Sequence, residues 1–294
     1  MNAEGKVYAR YGQRDARGPD SLQSLKGLNH TMRSVLDMHA RDKGMQTFAP
    51  RTQEHSITIN EINGRNRRCY HCHNVREALN RGLVEAGRWD REKAYRFPPT
   101  ETVGITLETD RGNIIAKALE NSSVARAGLK EGDVLHLLNK VPVHSIADAL
   151  FALEIAPSSG EIEASWTRDG QGMTGSIALP RGWKRSDVSW RPSMKRMVPS
   201  APFKGTELTS AEKEMLGLKS DQYALRLRSL PRRQSQGDGV QVGDVLIGID
   251  NKKPGREGES LQDFIRREYV VGDRVELQLL RDGKKVTVPL VLSR

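Results

Sequence analysis

Both cysteines of this 294-residue chain fall within the stretch Cys69-Tyr70-His71-Cys72-His73. Two thiols three positions apart, with an imidazole directly after the second, have the order that covalent haem attachment needs. Each thiol adds to one vinyl group of the porphyrin, and His73 meets the iron as proximal ligand. On this reading Cys69, Cys72 and His73 hold haem c, and His73 is the metal ligand. Two other chemistries use the same residues. A zinc ion takes about four ligands; Cys69 and Cys72 with His71 or His73 supply three, and His55 is a remote fourth. A dithiol/disulfide switch needs only the two cysteines, and the chain has no others. Arg65, Arg67 and Arg68, just upstream, would lower the thiol pKa and could meet haem propionates or an acidic redox partner.

The elements that must position this stretch are few. A helix is expected from about Asn74 to Glu85, with Val75, Leu79 and Leu83 on one side and Gly87 ending it. A second is expected over residues 19–43, where Leu22, Leu25, Leu28, Met32, Val35, Leu36 and Met38 recur at helical spacing. His30, His39, Met32, Met38 and Met45 are rival sixth ligands for an iron, and the sequence does not choose among them. Val7-Tyr8-Ala9-Arg10-Tyr11-Gly12 alternates with period 2, as a strand does.

Composition sets outer bounds. Net charge is +10 and aromatics are only 5%, so small separate cores are expected rather than one large one. The basic balance is read as that of an envelope protein. Nucleic acid is an unlikely partner because no nucleic-acid motif or stacking platform accompanies the charge. There is no apolar run of about 18 residues, hence no transmembrane segment. The first fifteen residues contain no apolar stretch of the signal-peptide kind.

The rest of the chain repeats itself. Gly128-Leu129-Lys130-Glu131-Gly132-Asp133-Val134-Leu135 returns as Gly239-Val240-Gln241-Val242-Gly243-Asp244-Val245-Leu246, and Arg168-Asp169-Gly170 returns as Arg281-Asp282-Gly283. The offsets are 111 and 113 residues, near enough to mark a duplication. In each copy a Gly-Asp turn leads into an apolar strand, and an Asp-Gly turn joins the last two strands. In copy one a helix from Ile146 to Ile155 carries Ala149, Leu150 and Leu153 toward a core.

This pattern resembles the PDZ domain of bacterial envelope proteins. The match rests on the run from Asn121 to Leu135 in copy one and from Gly239 to Asp250 in copy two. The resemblance implies mixed α+β folds: two small, partly open β-barrel PDZ domains following a mainly helical N-terminal region. It also implies capture of an extended or C-terminal peptide of a protein partner, paired to a strand edge, with loop N–H groups on its carboxylate. In copy one the binding residues would be Val103, Gly104, Ile105, Thr106 and Leu107, with Leu150 and Leu153 on the helix. Glu207 in the corresponding loop of copy two weakens the same expectation there.

Tyr8 to Gly12, Cys69 to Val75, Gly182 to Trp190 and both Gly-Asp-Val-Leu turns together resemble a bacterial envelope family that fuses a thioredoxin-like domain, a CxxCH region and tandem PDZ modules. That resemblance implies a remnant thioredoxin-like hairpin over 1–14, with Met1 internal to a longer protein. A helical CxxCH region follows over 15–99, then PDZ domains over 100–182 and 203–294, joined by a linker over 183–202. The expected function is a periplasmic or envelope peptide-binding adaptor carrying a haem or redox site. The alternatives are a c-type electron-transfer protein docked by its PDZ modules, and a structural tandem-PDZ protein with a disulfide or zinc clip. There is no nucleophile elbow or HExxH, so no protease machinery is read here.

Overall fold

The structure, a computed structural model, describes residues 7–41, 71–194, 196–230, 239–254 and 259–293. The chain divides into two compact units, Met1–Ser186 and Asp187–Arg294.

In the first unit, helix α1 spans Leu25–Arg41 and α2 spans Cys72–Glu85. Strands β1 (Ile105–Leu107) and β2 (Ile115–Ala118) form an antiparallel pair. A four-stranded antiparallel sheet follows in the order β4-β3-β5-β6, from β3 (Val134–Leu138), β4 (Val141–Pro142), β5 (Gly160–Arg168) and β6 (Gln171–Leu179). Two short helices complete it, α3 (Ser123–Arg126) and α4 (Ile146–Glu154). The core gathers Ile105, Ile115, Val124, Leu135, Leu138, Leu153, Trp166 and Ile177 between the sheet and α4. Trp183 joins this core and donates its indole N–H to the Pro157 carbonyl at 2.9 Å.

The second unit has a five-stranded antiparallel sheet in the order β11-β10-β9-β8-β7. Its strands are β7 (Lys204–Glu207), β8 (Leu225–Ser229), β9 (Val245–Ile249), β10 (Arg274–Arg281) and β11 (Lys284–Val291), with helices α5 (Ser210–Met215) and α6 (Leu261–Glu268). Thr209 caps α5, accepting from the Glu212 N–H, as the Thr-x-x-Glu spacing requires.

The duplication extends to side-chain detail. The two repeated landmarks of each copy touch one another. Arg168 donates to Asp133 through Nε at 2.7 Å and Nη2 at 2.8 Å, and Nη2 also reaches the Gly128 carbonyl at 2.7 Å. Arg281 donates to Asp244 through Nε and Nη2, both at 2.8 Å, and also to the Gly239 carbonyl. The turn glycines Gly132 and Gly243 sit at φ +86° and +96°, a region that disfavours a Cβ.

The mixed α and β content agrees with the sequence, but no closed barrel forms: among the described residues no sheet closes on itself. β1 is only three residues long and its register slips between Thr106 and Leu107, which leaves too little ladder to close a barrel. The strand expected over Val7–Gly12 is also absent, since residues 7–14 form no ladder. The Arg10 N–H donates instead to a side-chain carboxylate. The first predicted helix begins later, at Leu25, and buries Gly27 and Thr31 while Leu25, Met32 and Leu36 are exposed. A period of 3.6 defines a face without saying which way it points.

Candidate peptide-binding site

In copy one the loop before β1 is a single 3-10 turn over Thr100–Thr102. Val103 N–H donates to the Thr100 carbonyl at 3.2 Å, and Gly104 N–H to the Glu101 carbonyl at 3.1 Å. Gly104 has φ +96°, and a Cβ there would lie 2.2 Å from the Ser122 Cβ. Glycine is therefore required twice, by its backbone angle and by the approach of α3. Beyond it Ile105 and Leu107 point into the core and Thr106 lies between them, half-buried.

Helix α4 faces this strand. Ser145 caps it, accepting from the Asp148 N–H at 3.2 Å. Between β1 and α4 is a cavity of about 240 Å³ whose walls include Thr106, Leu107, Ile146 and Leu150, with Thr100 and Glu101 at the loop. Of the residues predicted for the site, Thr106, Leu107 and Leu150 line the cavity. Val103, Gly104, Ile105 and Leu153 do not, and Val103, Ile105 and Leu153 are core residues behind it.

Pro99 and Thr109 complete the module's side, and the remaining walls come from Asp15, Arg17, Ser21 and Leu22. These last four residues were not anticipated, and no local sequence signal points to them. Burial pushes the Asp15 carboxyl upward, but hydrogen bonds from Arg17 and Ser21 outweigh this and hold it below its ordinary value. The neighbouring segment is tied to the start of α4. Arg10 N–H donates to Asp148 Oδ1 at 2.8 Å, the Ser145 hydroxyl donates to the Arg10 carbonyl, and the Arg10 guanidinium lies 3.5 Å from the Phe151 ring centroid. Burial drives the Asp148 carboxyl up to about 6, against the pull of the Arg10 and His144 N–H groups. Burial acts in the same direction on Asp133 and Asp244. There the arginine hydrogen bonds and a backbone N–H prevail, and both lie below the ordinary carboxylate value.

The cysteine motif is remote from any such enclosure. Cys69 lies outside the described residues. Cys72 opens α2, exposed and with a free thiol, and His73 follows within the same turn. The His71 and His73 rings stack with centroids 5.4 Å apart. The residues of α2 that become buried are Ala78 and Asn80. Among the described residues, no three His, Cys, Asp or Glu side chains converge on a metal position.

The fold and cavity together define a duplicated α/β module with a groove between a short strand and a helix. No protein-family model matches the chain. Among curated proteins it is similar to the periplasmic serine endoprotease DegP of Salmonella typhimurium, 26% identical over 150 residues, which are 51% of this chain and 28% of that protein. DegP of Escherichia coli K12 is 26% identical over 148 residues, 50% of this chain and 28% of that protein. The periplasmic pH-dependent serine endoprotease DegQ of E. coli is 21% identical over 219 residues, 72% of this chain and 44% of that protein. The chain thus spans less than half the length of each of these relatives. Among solved structures, the HtrA-type protease AlgW with a tripeptide aligns at TM-score 0.30 and 17% identity, over 55% of this chain and 53% of that one.

These relatives overturn the reading of the chain as a haem or redox adaptor of a thioredoxin-like fusion family, and they lend no support to a redox partner. The similar proteins are periplasmic endoproteases, not cytochromes or oxidoreductases. The periplasmic or envelope location expected from the sequence agrees with them. No helix among the described residues is long and apolar enough to cross a membrane.

Proposed function

We propose that the chain is an envelope peptide-binding protein built on two PDZ-type modules, with the working groove of the first between β1 and α4. The observation that carries this reading is the geometry of β1. Its inner edge pairs with β2, and the cavity on its α4 side is lined by Thr106, Leu107, Ile146 and Leu150. An extended peptide added along that side would gain main-chain hydrogen bonds, and one apolar side chain would enter the cavity. Val103, Gly104, Ile105 and Leu153 act behind the groove by fixing the loop and the helix. Similarity to the DegP and DegQ periplasmic endoproteases, which act on polypeptides, supports a polypeptide ligand. Proteolysis is not proposed, because the chain spans only a minor part of those proteins.

The test is fluorescence anisotropy of the full chain against a fluorescein-labelled octapeptide library with free C-termini ending in Val, Ile, Leu or Ala. Binding is expected, and Leu150→Lys should abolish the module-one component. Failure of every peptide to bind, or binding indifferent to Leu150→Lys, rejects the proposed groove.

A further inference from the structure

We infer that residues 8–31 form a built-in cover for the module-one groove, so that a peptide must displace part of its own chain to bind. The inference rests on the peptide-binding reading above and concerns how that same site is controlled. The cavity has two kinds of wall. β1 and α4 belong to the module, whereas Asp15, Arg17, Ser21 and Leu22 come from the segment ahead of it. Leu22 packs its side chain on the module core, which is what an apolar peptide side chain would do there. Yet the segment adds no strand: among the described residues β1 pairs only with β2. The cover therefore closes one side of the side-chain space while leaving the strand edge unused, and a peptide that displaced it and used both would have the larger set of interactions.

The cover is held at its two ends. Upstream, Arg10 is fixed to Ser145 and Asp148 at the start of α4. Downstream, the Ser24 hydroxyl donates to Asp110 Oδ1 at 2.7 Å, and Thr31 Oγ1 lies 3.3 Å from the His144 carbonyl. Tyr11 joins the ends, donating to the Ser24 carbonyl at 2.6 Å while accepting from the Ser24 N–H at 2.9 Å. Gly27 allows the close approach of α1: a Cβ there would fall 2.4 Å from the Thr109 carbonyl oxygen.

The second copy serves as an internal reference. Ser260 and Asp263 repeat the Ser145 and Asp148 pair, with the Ser260 hydroxyl donating to Asp263 Oδ2 at 2.6 Å. There the carboxylate side chain is 53% exposed, against 1% for Asp148. A capping Ser-x-x-Asp pair does not by itself bury its carboxylate. In copy one the burial comes with the segment docked on it.

The test uses the full chain and two variants that leave β1 and α4 untouched. Gly27→Val pushes α1 off Thr109, and Leu22→Ala removes the apolar side chain that walls the groove and packs on the core. Amide exchange at β1 and the first turn of α4, with anisotropy of a fluorescein-labelled octapeptide ending in Val, reads both opening and binding. Faster exchange and about tenfold tighter binding in either variant are expected, because apparent affinity scales with the open fraction. Equal affinity for wild type and both variants, or unchanged exchange, overturns the cover while leaving peptide binding intact. Should no chain bind the peptide, the peptide-binding reading fails, and the cover falls with it.

Discussion

Removing Arg168 should destabilise the first module severely, and the cause can be isolated. The Asp133 carboxylate is 1% exposed, and it accepts two hydrogen bonds from Arg168 and one from the Lys130 N–H. Arg168→Met leaves that charge buried with a single backbone donor. Stranding one member of a buried ion pair costs about 3–5 kcal/mol. For a module of this size that lowers the melting midpoint by roughly 15–30 °C. Asp133→Asn should cost less, about 1–3 kcal/mol, because Arg168 retains access to water and to the Gly128 carbonyl. The double variant should be milder than Arg168→Met alone, since no buried charge remains. Urea unfolding followed by amide exchange at β3 and β5 assigns the loss to this module; Arg281→Met is the counterpart for β9 and β10. A loss below about 1 kcal/mol for Arg168→Met, set against that expected range, or a double variant as costly as the two single ones together, would refute the reasoning.

Gly104→Ala should lower both stability and peptide affinity, since the new Cβ would fall 2.2 Å from the Ser122 Cβ at φ +96°; melting curves and peptide anisotropy on one preparation check this. Asp148 gives a pH signature. Its folded pKa of about 6 lies above its ordinary 3.8, so the folded chain binds the proton more tightly and stability falls as pH rises through that window. At about 1.4 kcal/mol per pH unit of displacement the effect amounts to roughly 3 kcal/mol. Asp148→Asn should flatten the urea midpoint between pH 4 and 6, and an unchanged slope would count against it. Asp133 and Asp244 act with the opposite sign. Their folded values are depressed, so their stabilisation is present above the ordinary carboxylate value and is lost as pH falls below it. Midpoints that do not drop in acid for wild type, or that still drop to the same extent in Asp133→Asn, would contradict this.

What could be read from the sequence follows from the range of the interactions. The Gly-Asp and Asp-Gly turns are local demands on φ, and they appear where the residues stand, at Gly132, Gly243, Asp169-Gly170 and Asp282-Gly283. Helix α4 matches its expected span to within one residue, because Ser145 caps it and its apolar face is continuous. The Asp133–Arg168 contact was present in the sequence as two repeated landmarks, but nothing local said that they meet. The cover is harder still. Its anchors join residues 135 and 138 positions apart, and the Ser-x-x-Asp spacing at 145–148 indicates a cap without indicating a visitor. The reading of the chain as a haem or redox adaptor went wrong in the opposite way. The spacing of Cys69, Cys72 and His73 is specific, but a five-residue motif does not fix the role of the whole chain, and the similar proteins are endoproteases.

The two copies share the turn lock and the Ser-x-x-Asp cap, so differences between their grooves arise from the chain that leads into each. In copy one that chain docks through Arg10 on Ser145 and Asp148. In copy two the anchor is Gln262, one position before Asp263. Its carboxamide oxygen accepts from the Ala201 N–H at 2.6 Å, and its nitrogen donates to the Pro199 carbonyl at 3.2 Å. The residue at the matching position of copy one is Ala147, which has no side-chain group for such a bond. The two copies thus hold the upstream chain through different residues of the first helical turn. With the chain held at Gln262, all four residues of β7 are exposed, whereas two of the three in β1 are buried. Duplication preserved the scaffold, and the few residues at the start of the groove helix decide how each copy meets the chain that precedes it.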